Sequence, residues 1–272
     1  MDFTGFLGND AVKARLSGAF ASGRVAHSYL LCGPAGSGKH TLTRILSAAM
    51  QCEGRSGKIP CGVCSGCRKA LEGVHPDIIT VDDPDHKAMT VDPIRAARSD
   101  MFIRPNEGKR KIYIIPRGQD MNESAQNALL KTIEEPPAYA VVMLLADNPD
   151  ALLPTISSRC VQLNLKPVGD QLVKDYLMNE MHVPDYQAEV DASLAQGNIG
   201  KAERIARSPE YEETLESALR MAKYADSMPL YEIVETIKKL TAEKDNIDDY
   251  FDIFSLWFRD VLLFKATKEV DS

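Results

Sequence analysis

A glycine-rich stretch, Gly33-Pro-Ala-Gly-Ser-Gly-Lys39-His40, has the spacing G-x-x-x-x-G-K of a phosphate loop. Gly33, Gly36 and Gly38 let backbone N–H groups converge on phosphate oxygens, and the start of a following helix adds a positive end. Lys39 would reach the outer phosphates of ATP or ADP. The next position normally carries a hydroxyl that ligates magnesium, and here it is His40. Imidazole suits that hard ion poorly. Thr41 follows, but one step along a helix turns a side chain by about 100°. The loop is therefore expected to hold phosphate and to hold magnesium badly.

A second group of reactive residues is Cys52-x8-Cys61-x2-Cys64-x2-Cys67. Four thiolates suit tetrahedral zinc and leave no open position for water, so the expected site is structural. Redox use of Cys61 and Cys64 is the rival reading, but a redox pair needs no third and fourth cysteine nearby. His75, a lone histidine before Pro76, reads as a loop residue rather than a ligand.

These groups need a scaffold. Ser28–Cys32, Asp77–Val81, Lys111–Ile115, Val141–Leu145 and Cys160–Asn164 are short apolar runs with helical patterns between most of them. That order predicts a five-stranded, mostly parallel sheet covered on both faces. One connecting helix is explicit: Asn122 caps it, Leu129, Leu130 and Ile133 line one side, and Pro136-Pro137 ends it. The phosphate loop then follows the first strand directly. A P-loop ATPase also needs a carboxylate at the end of a later strand to help hold magnesium, and many have a second acid beside it. Here the strand at 111–115 runs into Pro116-Arg117, and the next carboxylate is Asp120. Proline offers no ligand and arginine cannot act as a base.

Beyond residue 164 the pattern is wholly helical. Residues 170–181, 186–195 and 200–207 fit three short helices, and Ser208-Pro209 marks a boundary. Leu230, Ile233, Val234, Ile237 and Leu240 recur at helical spacing, and residues 247–264 are apolar nearly all round, which predicts a helix buried among others.

Composition is that of a globular chain, and no apolar run approaches a membrane span. The N-terminus has no basic segment followed by a long apolar one, which reads as no signal peptide and a cytoplasmic location. The net charge of −7 comes from residues 209–272, with 8 basic and 15 acidic side chains, while residues 1–208 balance. Such a tail repels a phosphate backbone. Arg104, Lys109, Arg110 and Lys111 form the one basic cluster, a candidate for direct nucleic-acid binding, though such runs are more often solvated.

Several stretches together resemble the clamp-loader branch of the AAA+ proteins: His27-Ser-Tyr-Leu-Leu31, the cysteine module, His75-Pro-Asp-Ile-Ile79, Asn127-Ala-Leu-Leu-Lys-Thr-Ile-Glu-Glu-Pro-Pro137 and Leu153-Pro-Thr-Ile-Ser-Ser-Arg-Cys160. The resemblance is strong over 5–165 and is to the delta-prime kind of subunit in the bacterial DNA polymerase III loader. The motor subunits, gamma and tau, keep an acidic pair where this chain has Pro116-Arg117. They also carry a sensing arginine in the lid, where this chain has Gly200. The resemblance implies a P-loop AAA+ domain over 1–165 with the zinc module at 52–67, a helical lid over 166–208, and an incomplete helical collar over 209–272. It implies a non-hydrolysing subunit whose Arg159 enters the ATP site of a neighbouring motor subunit. The implied partners are the gamma/tau and delta subunits, the sliding clamp and, in the assembled complex, primed DNA, with no membrane. An active ATPase of the gamma/tau kind is the alternative.

Overall fold

The computed structural model describes residues 1–54, 57–84, 88–224, 228–242 and 247–267, which divide into a unit over Met1–Gly169 and a second over Asp170–Ser272. The first unit runs α1 (Asp10–Ala21), β1 (Ser28–Cys32), α2 (Lys39–Met50), α3 (Ser65–Leu71), β2 (Ile78–Thr80), α4 (Val91–Met101), β3 (Lys111–Ile115), α5 (Glu123–Glu134), β4 (Ala140–Ala146), α6 (Pro154–Ser157) and β5 (Val161–Asn164). The strands lie in the order β2-β3-β4-β1-β5, and every neighbouring pair is parallel.

Side chains alternate between two cores, one on each face of this sheet. Leu30, Tyr113, Ile115, Val142 and Leu144 pack with Ile94 and Met101 of α4 and with Leu129 and Ile133 of α5. Tyr29, Leu31, Ile112, Val141 and Met143 pack with Leu16 of α1 and with Leu42, Ile45 and Leu46 of α2. All seven residues of β4 and all five of β1 are buried. Burial on both faces is why these strands read as unbroken apolar runs rather than alternating ones.

Asn122 caps α5 as its sequence suggests, its side chain accepting from Ala125 N–H at 2.9 Å. β1 lies between β4 and β5, with Cys32 opposite both Ala146 and Asn164. The loops leaving the carboxyl ends of β1, β3 and β4 therefore gather along one edge, where open parallel sheets place their ligands.

The regular elements of the second unit, among its described residues, are all helices: α7 (Asp170–Met181), α8 (Asp185–Ala195), α9 (Ile199–Arg207), α10 (Pro209–Tyr224), α11 (Leu230–Ala242) and α12 (Ile247–Thr267). The boundary expected at Ser208-Pro209 falls between α9 and α10. α12 departs from the all-round burial its composition suggests. Ile253 and Leu256 are buried, while Phe251, Phe258, Leu262, Leu263 and Phe264 are exposed. Its buried side packs on α10, and Asp249 and Asp252 near its start pair with Arg204 and Lys201 of α9. Among the described residues no helix is long and apolar enough to cross a membrane.

Candidate functional site

The chain leaves β1 at Cys32, turns through residues 33–38 and enters α2 at Lys39. The turn needs its glycines for space as well as for backbone angles. Gly36, exposed at the tip of the loop, has φ +81°, a left-handed conformation that a side chain would strain. A Cβ on Gly33 would stand 2.7 Å from Ser37 Oγ and 3.1 Å from Leu165, and one on Gly38, at φ +90°, would press on the Phe6 ring at 3.1 Å. Gly38 precedes the helix and has no side chain to cap it, the arrangement in which a helix N-terminus faces an anion.

Lys39 is buried. Its Nζ donates to Gly33 O at 2.6 Å, Pro34 O at 2.9 Å and Asp147 Oδ1 at 2.5 Å. His40 is exposed at the residue level, and its imidazole is held below the ordinary histidine value by partial loss of solvation and then by the Lys39 cation. Thr41 is half-buried, one position further along α2. The loop therefore gathers Gly33, Gly36, Gly38 and Lys39 at the head of α2, as the spacing predicts, but it turns the lysine inward onto its own chain.

At the tip of β3, Pro116 and Arg117 stand where the sequence lacks a carboxylate. Arg117 turns toward the end of β2: Nε donates to Asp82 Oδ1 at 2.9 Å, and Nη2 lies 2.7 Å from the same oxygen and donates to Asp83 O at 2.6 Å. Asp120 lies 3.9 Å from Arg117 Nη1, so it too is engaged with the arginine. The turn after β3 is joined to the tip of β4. Gly118 passes so close that a Cβ would meet Leu145 O at 3.0 Å, and Gln119 Oε1 accepts from the backbone N–H of Asp147 at 3.3 Å.

The four cysteines of the 52–67 segment converge. Their sulfurs all lie within 4.8 Å of one another. Cys61 and Cys67 Sγ are 3.9 Å apart, near the separation of about 3.8 Å that four tetrahedral ligands take at metal–sulfur bonds of about 2.3 Å. Backbone N–H groups of Cys64, Cys67 and Gly54 point at the sulfurs of Cys61, Cys64 and Cys52 at 3.3–3.4 Å. The N–H groups of Cys64 and Val63 hold the Cys61 thiol down at about 6, whereas burial pushes the Cys67 thiol up. No disulfide links them. The segment is a four-thiol cage that can coordinate a metal ion, and the donor set fits a soft, tetrahedral one.

Arg159 sits between α6 and β5. Its Nη1 donates to Thr155 O at 3.1 Å and its Nη2 pairs with Glu134 Oε1, at the end of α5, at 3.0 Å. The loop that carries it is pinned by a residue the sequence reading passed over. The buried Gln126 donates to Met121 O at 3.1 Å and Ala151 O at 3.2 Å, and its Oε1 accepts from Leu153 N–H at 2.8 Å. The signal was present, because 126 falls on the same face as 129, 130 and 133, and a polar side chain on the apolar face of a helix must find partners.

With this geometry in view, comparison with known proteins places the chain. Residues 8–169 match the family model described as DNA polymerase III, delta subunit. The chain belongs to that family, a group of clamp-loader AAA+ subunits of the delta-prime and gamma/tau kind. The match ends at Gly169, the last residue of the first unit. The delta-prime subunit of Pseudomonas aeruginosa is 36% identical over 165 residues, covering 60% of this chain and 50% of that one. That of Bacillus subtilis is 29% identical over 250 residues, 90% of this chain and 74% of the relative. The tau subunit of Salmonella typhimurium is 33% identical over 184 residues, 66% of this chain but 28% of tau. The chain thus spans between about a quarter and a half of the tau subunits it matches. A variant of Thermotoga maritima RuvB superposes with a TM-score of 0.50 at 19% identity, covering 88% of this chain and 73% of that one, a likeness of fold. The fold is the AAA+ arrangement of a parallel five-stranded sheet with helices after it.

In this clamp-loader subunit three residues of the basic cluster bond within the chain, while Arg104 and Lys109 remain exposed to solvent. Lys111 is buried and held by Asp100 Oδ2 at 2.9 Å, Lys109 Nζ donates to Cys52 O, and Arg110 donates to Ala138 O. His75 is buried but stands apart from the cysteine cage, its Nδ1 accepting from Asp77 N–H at 3.1 Å. Asp77 in turn accepts from the N–H groups of Asn106, Glu107 and Gly108 at 2.6–2.9 Å. The His75-Pro-Asp77 motif therefore fastens the turn that feeds β3.

Proposed function

We propose that this chain is a non-hydrolysing subunit of the DNA polymerase III clamp loader. In this reading it is a rigid member of the ring that opens a sliding clamp and places it on primed DNA, beside gamma/tau motor subunits and the delta subunit. The observation that carries the reading is the tip of β3. Pro116 and Arg117 occupy the place of the magnesium-binding acid, and Arg117 brings a cation in its stead, bound to Asp82. A phosphoryl-transfer site needs a divalent cation between the outer phosphates. At this edge Asp82, Asp120 and Asp147 are already engaged by Arg117 and Lys39, and the Asp83 carboxylate accepts from Thr90 Oγ1 at 2.6 Å.

The proposed role toward ATP is exercised on a neighbour. Arg159 offers a fork of donors that stays charged at any working pH, and it is tethered by one surface ion pair. Gln126 keeps its loop in place. The cysteine cage, Cys52, Cys61, Cys64 and Cys67, would hold structural Zn²⁺. We assign residues 1–165 to the AAA+ domain, 166–208 to the lid and 209–272 to a helical collar segment, whose exposed apolar face on α12 suits packing against other helices.

The similarity to tau favours one alternative, an active ATPase of the gamma/tau kind. Two measurements separate the readings. The isolated chain should show no ATP turnover above that of Lys39→Ala, and the loader reconstituted from motor, delta and this chain should hydrolyse ATP in response to clamp and primed DNA. Magnesium-dependent turnover by the isolated chain that disappears in Lys39→Ala would establish the motor reading instead.

A further inference from the structure

A lysine ammonium has three N–H donors and no more, and all three of Lys39 are committed within the chain. Two go to the carbonyls of Gly33 and Pro34, which belong to the loop itself. The third goes to Asp147 Oδ1 at 2.5 Å. This last contact is dictated by the sheet. β1 and β4 are parallel neighbours with Cys32 opposite Ala146, and Gly33 N–H donates to Ala146 O at 3.2 Å. One residue further along β4 is Asp147, beside the start of the phosphate loop. Gln119 holds its backbone from the other side. Lys39 is 6% exposed and Asp147 47%, so the pair stands at the mouth of the loop rather than in the core.

We propose that the Asp147 carboxylate takes the place of a phosphate at Lys39 and closes the loop to polyphosphate nucleotides. This deepens the reading of a non-hydrolysing subunit and rests on residues 33–40 being a phosphate loop. A phosphate oxygen needs one of the three ammonium positions. The two carbonyls are fixed by the backbone turn, which leaves Asp147 as the acceptor to displace. An anion that enters without displacing it meets a carboxylate at close range, and like charges repel. An anion that does displace it competes with a partner tethered in place, whose effective concentration free nucleotide must exceed. Both routes weaken binding. The β3 tip and Asp147 thus act on different steps, the first on magnesium and the second on phosphate.

The test is calorimetric titration of ADP, and separately of inorganic pyrophosphate, into the full chain, Asp147→Asn and Asp147→Asn/Lys39→Ala. The asparagine keeps size and hydrogen bonding but removes the charge. We expect Asp147→Asn to bind ADP at least about tenfold more tightly than wild type, pyrophosphate to follow the same order, and the gain to vanish with Lys39→Ala. Affinities of wild type and Asp147→Asn within about threefold of each other would overturn the inference, as would a gain that survives Lys39→Ala. Asp147→Ser is the second variant should the amide disturb the turn, and it is held to the same outcomes. A wild-type chain that binds ADP tightly yet turns over no ATP would sink the role of Asp147 and leave the non-hydrolysing reading intact.

Discussion

Arg159 offers the sharpest separation between a structural and a mechanistic role. Within its own chain it has two attachments, the ion pair to Glu134 and the hydrogen bond to Thr155 O. Arg159 is 42% exposed and Glu134 47%, and a pair that open to solvent is worth at most about 1 kcal/mol. Arg159→Ala should therefore lower the stability of the chain by about 1 kcal/mol or less, a melting shift of roughly 2–4 °C. In the assembled loader the expected loss is of another order. Arginine fingers contribute roughly 10³–10⁵ in rate in GTPases, about 4–7 kcal/mol of barrier. On the proposed reading this chain serves one of several motor sites, so steady-state hydrolysis should fall in part while turnover at the served site falls by the full factor. Glu134→Gln is the control, since it releases the same ion pair and leaves the guanidinium. It should cost the same small stability and leave hydrolysis intact. Arg159→Lys should rescue poorly, because a point charge does not reproduce the fork. The assay is clamp- and DNA-stimulated ATP hydrolysis with matched concentrations of assembled complex. Equal rates for wild type and Arg159→Ala would remove Arg159 from the mechanism, and equal losses for Arg159→Ala and Glu134→Gln would assign the effect to the ion pair.

Three further outcomes follow from the geometry. Protein purified without chelator should carry about one zinc per chain, and Cys64→Ser should lose it along with the order of the 52–67 segment, whose interior is the cysteines themselves with Ile59 against them. Elemental analysis decides this, and a metal-free, stably folded wild type would contradict it. Asp77→Asn should destabilise by about 2 kcal/mol at pH 7, as expected for a charged acceptor of buried N–H groups. Burial alone would raise the Asp77 carboxyl, but its three N–H partners outweigh this and hold it below the usual value. Its contribution is therefore complete above about pH 4 and is lost as the pH falls through the lower folded value, so urea melts should show the gap between wild type and variant closing toward about pH 3. Asp191 has the opposite sign. It is buried, its Oδ1 accepts from Gln187, and its Oδ2 has no partner among the described residues. Burial raises its carboxyl, so it loses stability as the pH rises from about 4 toward the raised folded value. Asp191→Asn should gain about 1 kcal/mol at pH 7 and little at about pH 3, and a loss at neutral pH would refute the reasoning.

Local chemistry made much of this chain legible before any coordinates. The central strands β1, β3 and β4 appear where apolar runs stand, because strands buried on both faces leave no polar alternation to confuse them. At the sheet edge β5 alternates instead, with Gln162 and Asn164 exposed. The cysteines of the cage are close in sequence, so spacing alone implied their convergence. Gly36 and Gly38 take a positive φ, which only glycine adopts freely. Pro116-Arg117 could be read as a loss because it is defined by what the residue types cannot do. α1 went unread for the converse reason: Leu16 is its one buried residue, too little to imprint a pattern. The all-round apolar composition of α12 implied a burial that the chain does not supply, because composition records what a helix could bury and not what lies beside it.

Long-range pairing belongs to the tertiary structure. Asp147 reads as an ordinary loop residue 108 positions from Lys39, and the sheet order that sets β4 against β1 is what brings its carboxylate to the ammonium. Gln126 reaching Leu153, and Arg159 resting on Glu134, depend likewise on how α5 lies across the sheet. The sequence by itself determined which groups exist and what each can do, since valence, charge and local backbone geometry travel with the residue. Which donor meets which acceptor was decided by packing, because hydrogen bonds and ion pairs act over a few ångströms and only the folded core sets those distances.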